Sequence, residues 1–263
     1  MRLITGMHRS GTSLVARLFF EGGADLGDPE TFYRADRWNP DGYYEQPDIH
    51  AINMPLINGP FGKLAYFWLP TTDRILRRAS RRADQIRETA QKYAGRVVKE
   101  TRFCLTLPAW LEHGASIDRI IVCLRDPIDV AASLRKRNHI TTALGLRLWR
   151  VHNERLLTHV ADIPHWFVYY PNLLEESAFL RETGAAFHFF GYDPPSSQVV
   201  AMYEKCVNTR SCHTGAPTVS YPGRVDSIWR ELMRKHAAQF GGTGSDAVEP
   251  GEESGLSQNG SRG

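Results

Sequence analysis

The chain has 263 residues, 42% of them hydrophobic and 23% charged, and this composition excludes fibrous, collagen-like and wholly disordered proteins. The 32 basic and 29 acidic side chains give a net charge of +3, which is too balanced to indicate a nucleic-acid partner. No apolar run approaches the roughly 18 residues of a transmembrane segment, and no signal peptide is recognisable. We therefore expect a cytoplasmic protein with one sizeable domain and leave its oligomeric state open.

The order of the predicted elements along the chain indicates an α/β fold with a central parallel sheet flanked by helices. The run 120–124, IIVCL, is fully apolar and β-branched, as a buried parallel strand requires. The predicted strands are residues 3–5, 97–99, 120–124 and 166–169. The predicted helices are residues 14–21, 72–95, 126–136, 141–160, 172–183, 196–207 and 225–240.

Two stretches fall outside this pattern. The segment 22–70 is rich in glycine, proline and aromatic residues, and it is too long for a plain connection, so it is either functional or carries short helices of its own. Its aromatic side chains either line an acceptor pocket or pack the segment onto the sheet. From residue 241 onward the chain is mostly Gly, Ser, Glu and Asn, which predicts a disordered tail over 241–263 after a domain over 1–240.

A first anion-binding motif lies at residues 6–13, GMHRSGTS, between a predicted strand and a predicted helix. In such a turn, successive backbone N–H groups and the helix N-terminus converge on an anion. The spacing matches the phosphate loop G-x4-G-K-[ST] except that Thr12 replaces the lysine. Arg9 supplies a cation inside the loop instead. The segment therefore suits a phosphate-like group but is a poor ATPase loop.

A second anion-binding motif follows the strand 120–124. An ATPase would place an acidic residue for Mg²⁺ at the end of this strand, but this chain has Arg125 there. Ser133 lies about two turns into the next helix, so Arg125 and Ser133 are expected to approach one anion together. Two separate anion sites predict a ligand with two anionic ends.

The cysteines and histidines give only weak signals of a metal or disulfide site. Cys206 and Cys212 could pair, or bind a metal with His213, but four cysteines in the chain are too few for a disulfide framework and free thiols are favoured. The ten histidines show no metal-site spacing. We expect no metal.

Together the two anion motifs resemble those of the sulfotransferases that use 3′-phosphoadenosine-5′-phosphosulfate. RDPIDVAAS at 125–133 is a close match to the family's RDPxDVxxS, and GMHRSGTS at 6–13 is typical of the bacterial branch. NPDGYYE (39–45), VVKETR (97–102) and VYYPNLL (168–174) are similar to further family segments. In the second of these, Glu100 and Thr101 replace the Asp and Pro of the family's KDPR. The resemblance covers about residues 2–192.

The resemblance implies a three-layer, P-loop-like fold and a sulfotransferase-like domain over residues 1–240. It implies sulfuryl transfer from 3′-phosphoadenosine-5′-phosphosulfate to a hydroxyl or amine of a small-molecule or glycan acceptor, without a metal. It also implies that the 3′-phosphate is held by Arg125 and Ser133. The residues implied to hold the 5′-phosphosulfate are His8, Arg9, Ser10, Gly11, Thr12 and Ser13.

The resemblance also implies three catalytic roles. Arg9 would neutralise charge that develops on the bridging oxygen, and Lys99 would contact the sulfuryl group or pair with an acid. Glu45 is the favoured base, with a pKa that burial is expected to raise towards neutrality. Glu100 is the second candidate for the base, followed by His8 and His50.

Two other functions remain open from the sequence. A P-loop small-molecule kinase would need lysine at position 12 and an acid after residue 124, and the chain has neither. A non-catalytic nucleotide-binding module of the same fold would keep both motifs without turnover. The six arginines between 74 and 87 either guide an anionic acceptor or form a solvated helix face.

Overall fold

The computed structural model of the chain describes residues 1–59, 62, 68–207 and 221–241. Its four predicted strands are confirmed and form one all-parallel sheet in the order β2-β1-β3-β4. Their boundaries differ from the expected ones by at most one residue. The strands are β1 (Arg2–Thr5), β2 (Val97–Lys99), β3 (Arg119–Leu124) and β4 (His165–Tyr169).

Helices cover both faces of this sheet, so the predicted α/β fold with a central parallel sheet is confirmed and has three layers. Alternate strand residues face opposite helical layers: Leu3 and Ile120 pack with one buried cluster, Ile4 and Ile121 with the other. One layer contains α1 (Thr12–Glu21), α8 (Glu176–Phe190) and α9 (Ser196–Cys206). The other contains α2 (Pro47–Asn58), α3 (Thr72–Ala79), α4 (Ala83–Lys92), α5 (Phe103–Glu112), α6 (Pro127–Asn138), α7 (Thr142–His159) and α10 (Gly223–Gly241).

Two predicted helices have different boundaries in the structure. The single helix expected over 72–95 is interrupted by a 3₁₀ turn, Ser80–Arg82, between α3 and α4. The Ser80 hydroxyl donates to the Leu76 carbonyl at 3.1 Å, a contact that bends helices. The helix expected over 172–183 begins later, at Glu176, because a 3₁₀ turn occupies Tyr170–Leu174, and it continues seven residues further, to Phe190.

Helix α5 was not predicted, whereas α2 is a short helix of the kind given as one alternative for the segment 22–70. Both contain an internal proline, Pro55 in α2 and Pro108 in α5. Proline removes a helical hydrogen bond and leaves the carbonyl four residues earlier without its donor. For Pro108 that carbonyl belongs to Cys104, which is fully buried in the core. Helix α5 packs against α3 and α7 in the core, and a local sequence pattern does not reveal these contacts.

Side chains from α8 and α10 cover the free edge of β4. The Gln239 side-chain amide accepts from the Phe167 N–H at 2.9 Å and donates to the Phe167 carbonyl at 2.6 Å. The Glu182 carboxylate accepts from the Tyr169 N–H at 2.7 Å and contacts His236 at 2.7 Å. Such cover prevents an edge strand from pairing with another chain, and here it also fixes the end of β4 beside the candidate site.

Several sequence expectations lie outside the described residues, namely the tail from 242 onward, Cys212, and the aromatic residues Phe61, Tyr66 and Phe67. In the described part of the chain, no helix combines the length and the apolar character that crossing a membrane requires.

Candidate functional site

The candidate site lies at the carboxyl edge of the sheet, where the ends of all four parallel strands meet. Ligands of open α/β sheets bind at this edge. The loop 6–11 follows β1, Arg125 follows β3, and Tyr170 follows β4. On the other side of β1, strand β2 ends at Lys99 and leads into Glu100. The fold thus brings both sequence-predicted anion motifs to one edge.

Glycines give the loop after β1 its shape. Gly6 has φ +150°, and a Cβ there would lie 2.5 Å from the Cys123 carbonyl oxygen. Gly11 is left-handed at φ 86°, and its Cβ would lie 2.2 Å from the Tyr170 ring. Both positions therefore require glycine, for backbone conformation and for space.

Helix α1 directs its N-terminus at this edge. Gly11 precedes the helix and offers no side chain to its first N–H groups. The N–H groups of a helix's first turn lack partners within the helix, and with the helix dipole they attract an anion. A cleft of about 370 Å³ opens there. Its lining includes Arg9, Gly11, Thr12, Ser13, Trp38, Asn39, Arg125 and Tyr170.

The two anion motifs meet at Arg9. Arg9 Nε donates to Ser133 Oγ at 2.8 Å, and Arg125 donates to the Arg9 carbonyl at 3.2 Å. The Arg125 guanidinium lies 4.7 Å from the centre of the Tyr170 ring. Arg9 was expected to serve the 5′ end of the ligand, but its side chain reaches the serine expected at the 3′ end.

The cleft lining contains two arginines, Arg9 and Arg125, and one acid, Asp41, which pairs with Arg17 at 2.8 Å. Burial, followed by the nearby Arg137 and Arg125, lowers the pKa of Arg9. Within the described residues Arg9 has no ion pair with an acid, while Arg125 has Asp129 at 3.7 Å. Bringing an anion between these guanidinium groups would relieve their mutual repulsion.

Arg137 and Tyr170 are two site residues that the sequence analysis missed. Arg137 donates to the Tyr43 hydroxyl at 3.0 Å. It lies four residues after Ser133 on α6, and this spacing puts the two side chains on one helix face, so a helical reading of the second motif could have found it. Tyr170 gives no comparable signal, because its place depends on Gly11 from a distant part of the chain.

The segment 38–45 lies against the loop, and its aromatic residues occupy two kinds of position. Trp38 lines the cleft, and its carbonyl accepts from Arg9 at 3.4 Å. Tyr44 instead packs against the rings of Phe20 and Phe32, at 5.7 and 5.9 Å between ring centres. Asn39 donates to Ser13 Oγ at 3.2 Å, which ties the segment to the start of α1.

Behind Ser13 lies a buried ion-pair network that contains both glutamates named as candidate bases. Lys99 Nζ is 2.5 Å from Glu45 Oε1 and 3.3 Å from Ser13 Oγ. Arg102 Nη1 donates to both carboxylates, at 3.5 Å to Glu45 Oε2 and at 2.7 Å to Glu100 Oε1. Lys99 and Glu45 do not line the cleft, but they reach it through the Ser13 hydroxyl.

The expected rise in the pKa of Glu45 is wrong. Burial acts to raise it, but Lys99, Arg102 and His50 together outweigh burial, and the pKa of Glu45 is lowered. Glu100 behaves in the opposite way, since complete burial and the neighbouring Glu45 raise its pKa despite Arg102. Glu45 is therefore the glutamate held ionised, and Glu100 the one that binds a proton more readily.

The histidines named as alternative bases lie beside this network. His8 shares a hydrogen bond with Thr101 Oγ1 at 2.9 Å, and burial lowers its pKa well below the usual value. His50 Nδ1 is 4.0 Å from Glu45 Oε2, and burial lowers the pKa of His50 to about 4. Both rings are neutral near pH 7. His8 and Ser10, both expected to hold the ligand, do not line the cleft.

Atoms that can ligate metals do come together here. One such atom each from Glu45, His50 and Glu100 lies within 4.8 Å of the others. Arg102 already contacts oxygens of both glutamates, and Lys99 neutralises Glu45 from the other side. The chain therefore supplies its own cations to these carboxylates, while Glu100 Oε2 and His50 Nδ1 are buried and make no hydrogen bond within the described residues.

A larger cleft of about 650 Å³ lies away from the strand ends, between α2 and the turn after α3. Its Arg78 donates to the carbonyls of Leu56 and Ile57 at the end of α2, at 2.7 and 2.9 Å. Arg87, farther along, pairs with Asp84 at 2.6 Å. These two arginines of the 74–87 stretch thus make structural or surface contacts, and the smaller cleft at α1 is the better candidate.

Comparison with known proteins adds no functional assignment. No protein-family model matches the chain, and no curated protein sequence matches it.

Proposed function

We propose that the protein is a sulfotransferase that moves a sulfuryl group from 3′-phosphoadenosine-5′-phosphosulfate to a hydroxyl or amine of a small-molecule or glycan acceptor. The supporting observation is the pairing of two anion-binding arrangements at one cleft: the N-terminus of α1, and the arginines Arg9 and Arg125. Ser133 does not line the cleft, but it accepts a hydrogen bond from Arg9. A ligand with phosphate-type groups at two positions fits this pairing. A cytoplasmic location is part of the same proposal.

The proposal assigns the binding residues as follows. The first N–H groups of α1, with the Thr12 and Ser13 hydroxyls, hold the 5′ end of the donor. Arg125, Arg9 and Ser133 hold the 3′-phosphate, through the charge-assisted hydrogen bonds that guanidinium groups form with phosphate. When bound, the donor supplies the activated sulfuryl group.

The proposal assigns the chemistry to the network behind Ser13. Glu45 accepts the acceptor's proton, which requires an ionised carboxylate, and its lowered pKa meets that condition. Lys99 lies between Glu45 and Ser13, where its charge stabilises negative charge on the transferred group. Glu100 is the weaker candidate base, because it is completely buried and its pKa is raised.

A kinase fits less well. Thr12 leaves the loop without the lysine that grips the β- and γ-phosphates, and the position after β3 is Arg125 rather than an acid. Within the described residues, Glu45 and Glu100 are the carboxylates that cluster with a histidine as metal-type ligands, and both already contact Arg102. A bound Mg²⁺ would therefore compete with Lys99 and Arg102 for these carboxylates.

Calorimetry with 3′,5′-adenosine bisphosphate tests the proposal without an acceptor. We expect binding in the absence of Mg²⁺. Arg125→Ala should weaken it about 10- to 150-fold, the equivalent of about 1.5–3 kcal/mol for hydrogen bonds to a charged group. Arg87→Ala is the matched control, because Arg87 is exposed and pairs only with a neighbour on its own helix, Asp84.

Two results would contradict the proposal: tighter binding of Mg-ATP than of the bisphosphate, or equal affinities for Arg125→Ala and Arg87→Ala. Turnover is tested separately with a panel of hydroxyl and amine acceptors and labelled sulfuryl donor. Bisphosphate binding without transfer to any member of the panel would favour the non-catalytic module.

A further inference from the structure

Lys99 is shared between the anion loop and the candidate base. Its ammonium is 3.3 Å from Ser13 Oγ and 2.5 Å from Glu45 Oε1, and its side chain is 2% exposed. Ser13 Oγ also accepts from Asn39 Nδ2 at 3.2 Å. Since the oxygen already receives two donors, the serine's own O–H is free to point at an anion in the loop.

An anion at the N-terminus of α1 would compete with Glu45 for this ammonium. A lysine ammonium is a compact charge on a flexible stem with three donors, so a short movement can carry it from one anion towards the other. At a few ångströms the interaction of two unit charges is strong in a buried site. Lys99 therefore has two alternative partners, one permanent and one that depends on the ligand.

The remaining charges around Glu45 determine what happens when Lys99 moves. Arg102 is the second cation on Glu45, but at 3.5 Å it is farther away than Lys99, and it is closer to Glu100, at 2.7 Å. His50 is neutral near pH 7. Once Lys99 has moved, Arg102 would be the remaining cation that stabilises the negative charge of Glu45. The titratable and charged groups that face Glu45 are Lys99, Glu100, Arg102, His50 and Tyr33.

We propose that Lys99 couples donor binding to the basicity of Glu45: filling the anion loop draws the ammonium away from the carboxylate, and Glu45 becomes a stronger base only in the presence of the donor. This inference rests on the proposed function. Without donor, the ion pair with Lys99 lowers the affinity of the Glu45 carboxylate for a proton. With donor, the same ammonium stabilises the transferred group while Glu45 accepts the acceptor's proton.

The coupling predicts that ligand binding changes proton uptake at Glu45. The probe is 3′,5′-adenosine bisphosphate, titrated by calorimetry between pH 5 and 7 in buffers of different ionisation enthalpy. The wild-type protein should take up more protons on binding than Glu45→Gln, by up to about one proton, the limit for a single carboxylate. Phosphate groups of the probe also titrate near pH 6, but they contribute to both proteins, so the difference isolates Glu45.

Lys99→Met provides the second comparison. Without the ammonium, binding cannot release Glu45, so combining Lys99→Met with Glu45→Gln should leave proton uptake at the Lys99→Met value. Carbon-13 NMR of the Glu45 carboxylate, assigned with Glu45→Gln, measures the same effect in the wild-type protein and does not depend on the lysine variant folding. The carboxylate should titrate at higher pH when the bisphosphate is bound.

The outcomes separate this inference from the proposed function. Bisphosphate binding with equal proton uptake in wild type and Glu45→Gln, or an unchanged carboxylate titration, would overturn the coupling and leave the proposed function standing. Failure of the wild-type protein to bind the bisphosphate would overturn both. An uptake difference that persists in the Lys99→Met background would show that another group carries the coupling.

Discussion

Replacing Gly11 by alanine should destabilise the protein through two separate effects. Gly11 has φ 86° and ψ 7° immediately before α1, a conformation that a residue with a Cβ adopts at a cost of about 1–2 kcal/mol. In addition, the new Cβ would lie 2.2 Å from Tyr170 Cδ2. The Tyr170 ring covers the Arg125 guanidinium at 4.7 Å, so moving the ring also disturbs the second anion site.

Gly23→Ala is the matched control because it has only the first effect. Gly23 has φ +83°, and a Cβ there would meet no atom within 4 Å. Both substitutions gain about 0.4–1 kcal/mol from a less flexible unfolded chain, which cancels in the comparison. Forcing a methyl group into a packed position costs about 1–3 kcal/mol. The free energy of unfolding should therefore fall by about 1–3 kcal/mol more in Gly11→Ala than in Gly23→Ala.

Urea denaturation of both variants measures this difference. Adding Tyr170→Ala to Gly11→Ala removes the clash, so a double-mutant cycle should recover the excess loss. Equal losses in Gly11→Ala and Gly23→Ala, or a cycle without interaction between the alanine at 11 and Tyr170, would refute the close contact between the loop after β1 and the end of β4. Bisphosphate affinity should fall in Gly11→Ala and stay unchanged in Gly23→Ala.

Two further predictions concern stability. Burial lowers the pKa values of His152 and His159 to about 4, while the ordinary value is 6.5. The unfolded chain therefore binds these protons first, and the free energy of unfolding should fall between about pH 6.5 and 4, by up to about 1.4 kcal/mol per pH unit for each group. Urea denaturation at pH 7, 6 and 5 checks this, and a constant value would contradict it. Glu182→Ala leaves the Tyr169 N–H without its acceptor and should cost roughly 1–3 kcal/mol, as for a buried donor that loses its hydrogen-bond partner. Gln239→Ala on the same sheet edge should cost less, and equal losses in urea denaturation would show that Glu182 has no special role.

The sequence predicted the sheet well because the strands are marked by their composition. Buried parallel strands need apolar side chains on both faces. The runs at 97–99 and 120–124 favour a strand over a helix or a loop. The loop after β1 was equally readable, since its glycines stand between a strand and a helix. These signals are local. Because the strands are parallel, their carboxyl ends lie at one edge of the sheet, and both anion motifs follow such ends.

The parts that could not be predicted depend on contacts between distant residues. Helix α5 was missed because Pro108 argues against a helix, and the packing that holds α5 in the core comes from the distant helices α3 and α7. The contact of Arg9 with Ser133 joins positions 124 residues apart. The pKa of Glu45 was predicted in the wrong direction because burial was considered alone. Its cations, Lys99 and Arg102, follow 54 and 57 residues later, and only the fold places them against it.

The contacts of Lys99 with Ser13 and Glu45 offer a physical explanation for Thr12, which stands where a phosphate loop has lysine. The loop has no lysine of its own, but β2 brings Lys99 to within 3.3 Å of Ser13. A lysine in the loop would contact only the ligand. A lysine at the end of β2 also contacts Glu45, so its charge is shared between ligand and base. On the proposed function, this difference matters because the ammonium that meets the donor is the one that otherwise pairs with the proposed base, Glu45. Because the lysine lies on the neighbouring strand and not in the loop, one ammonium group can contact both the donor and Glu45.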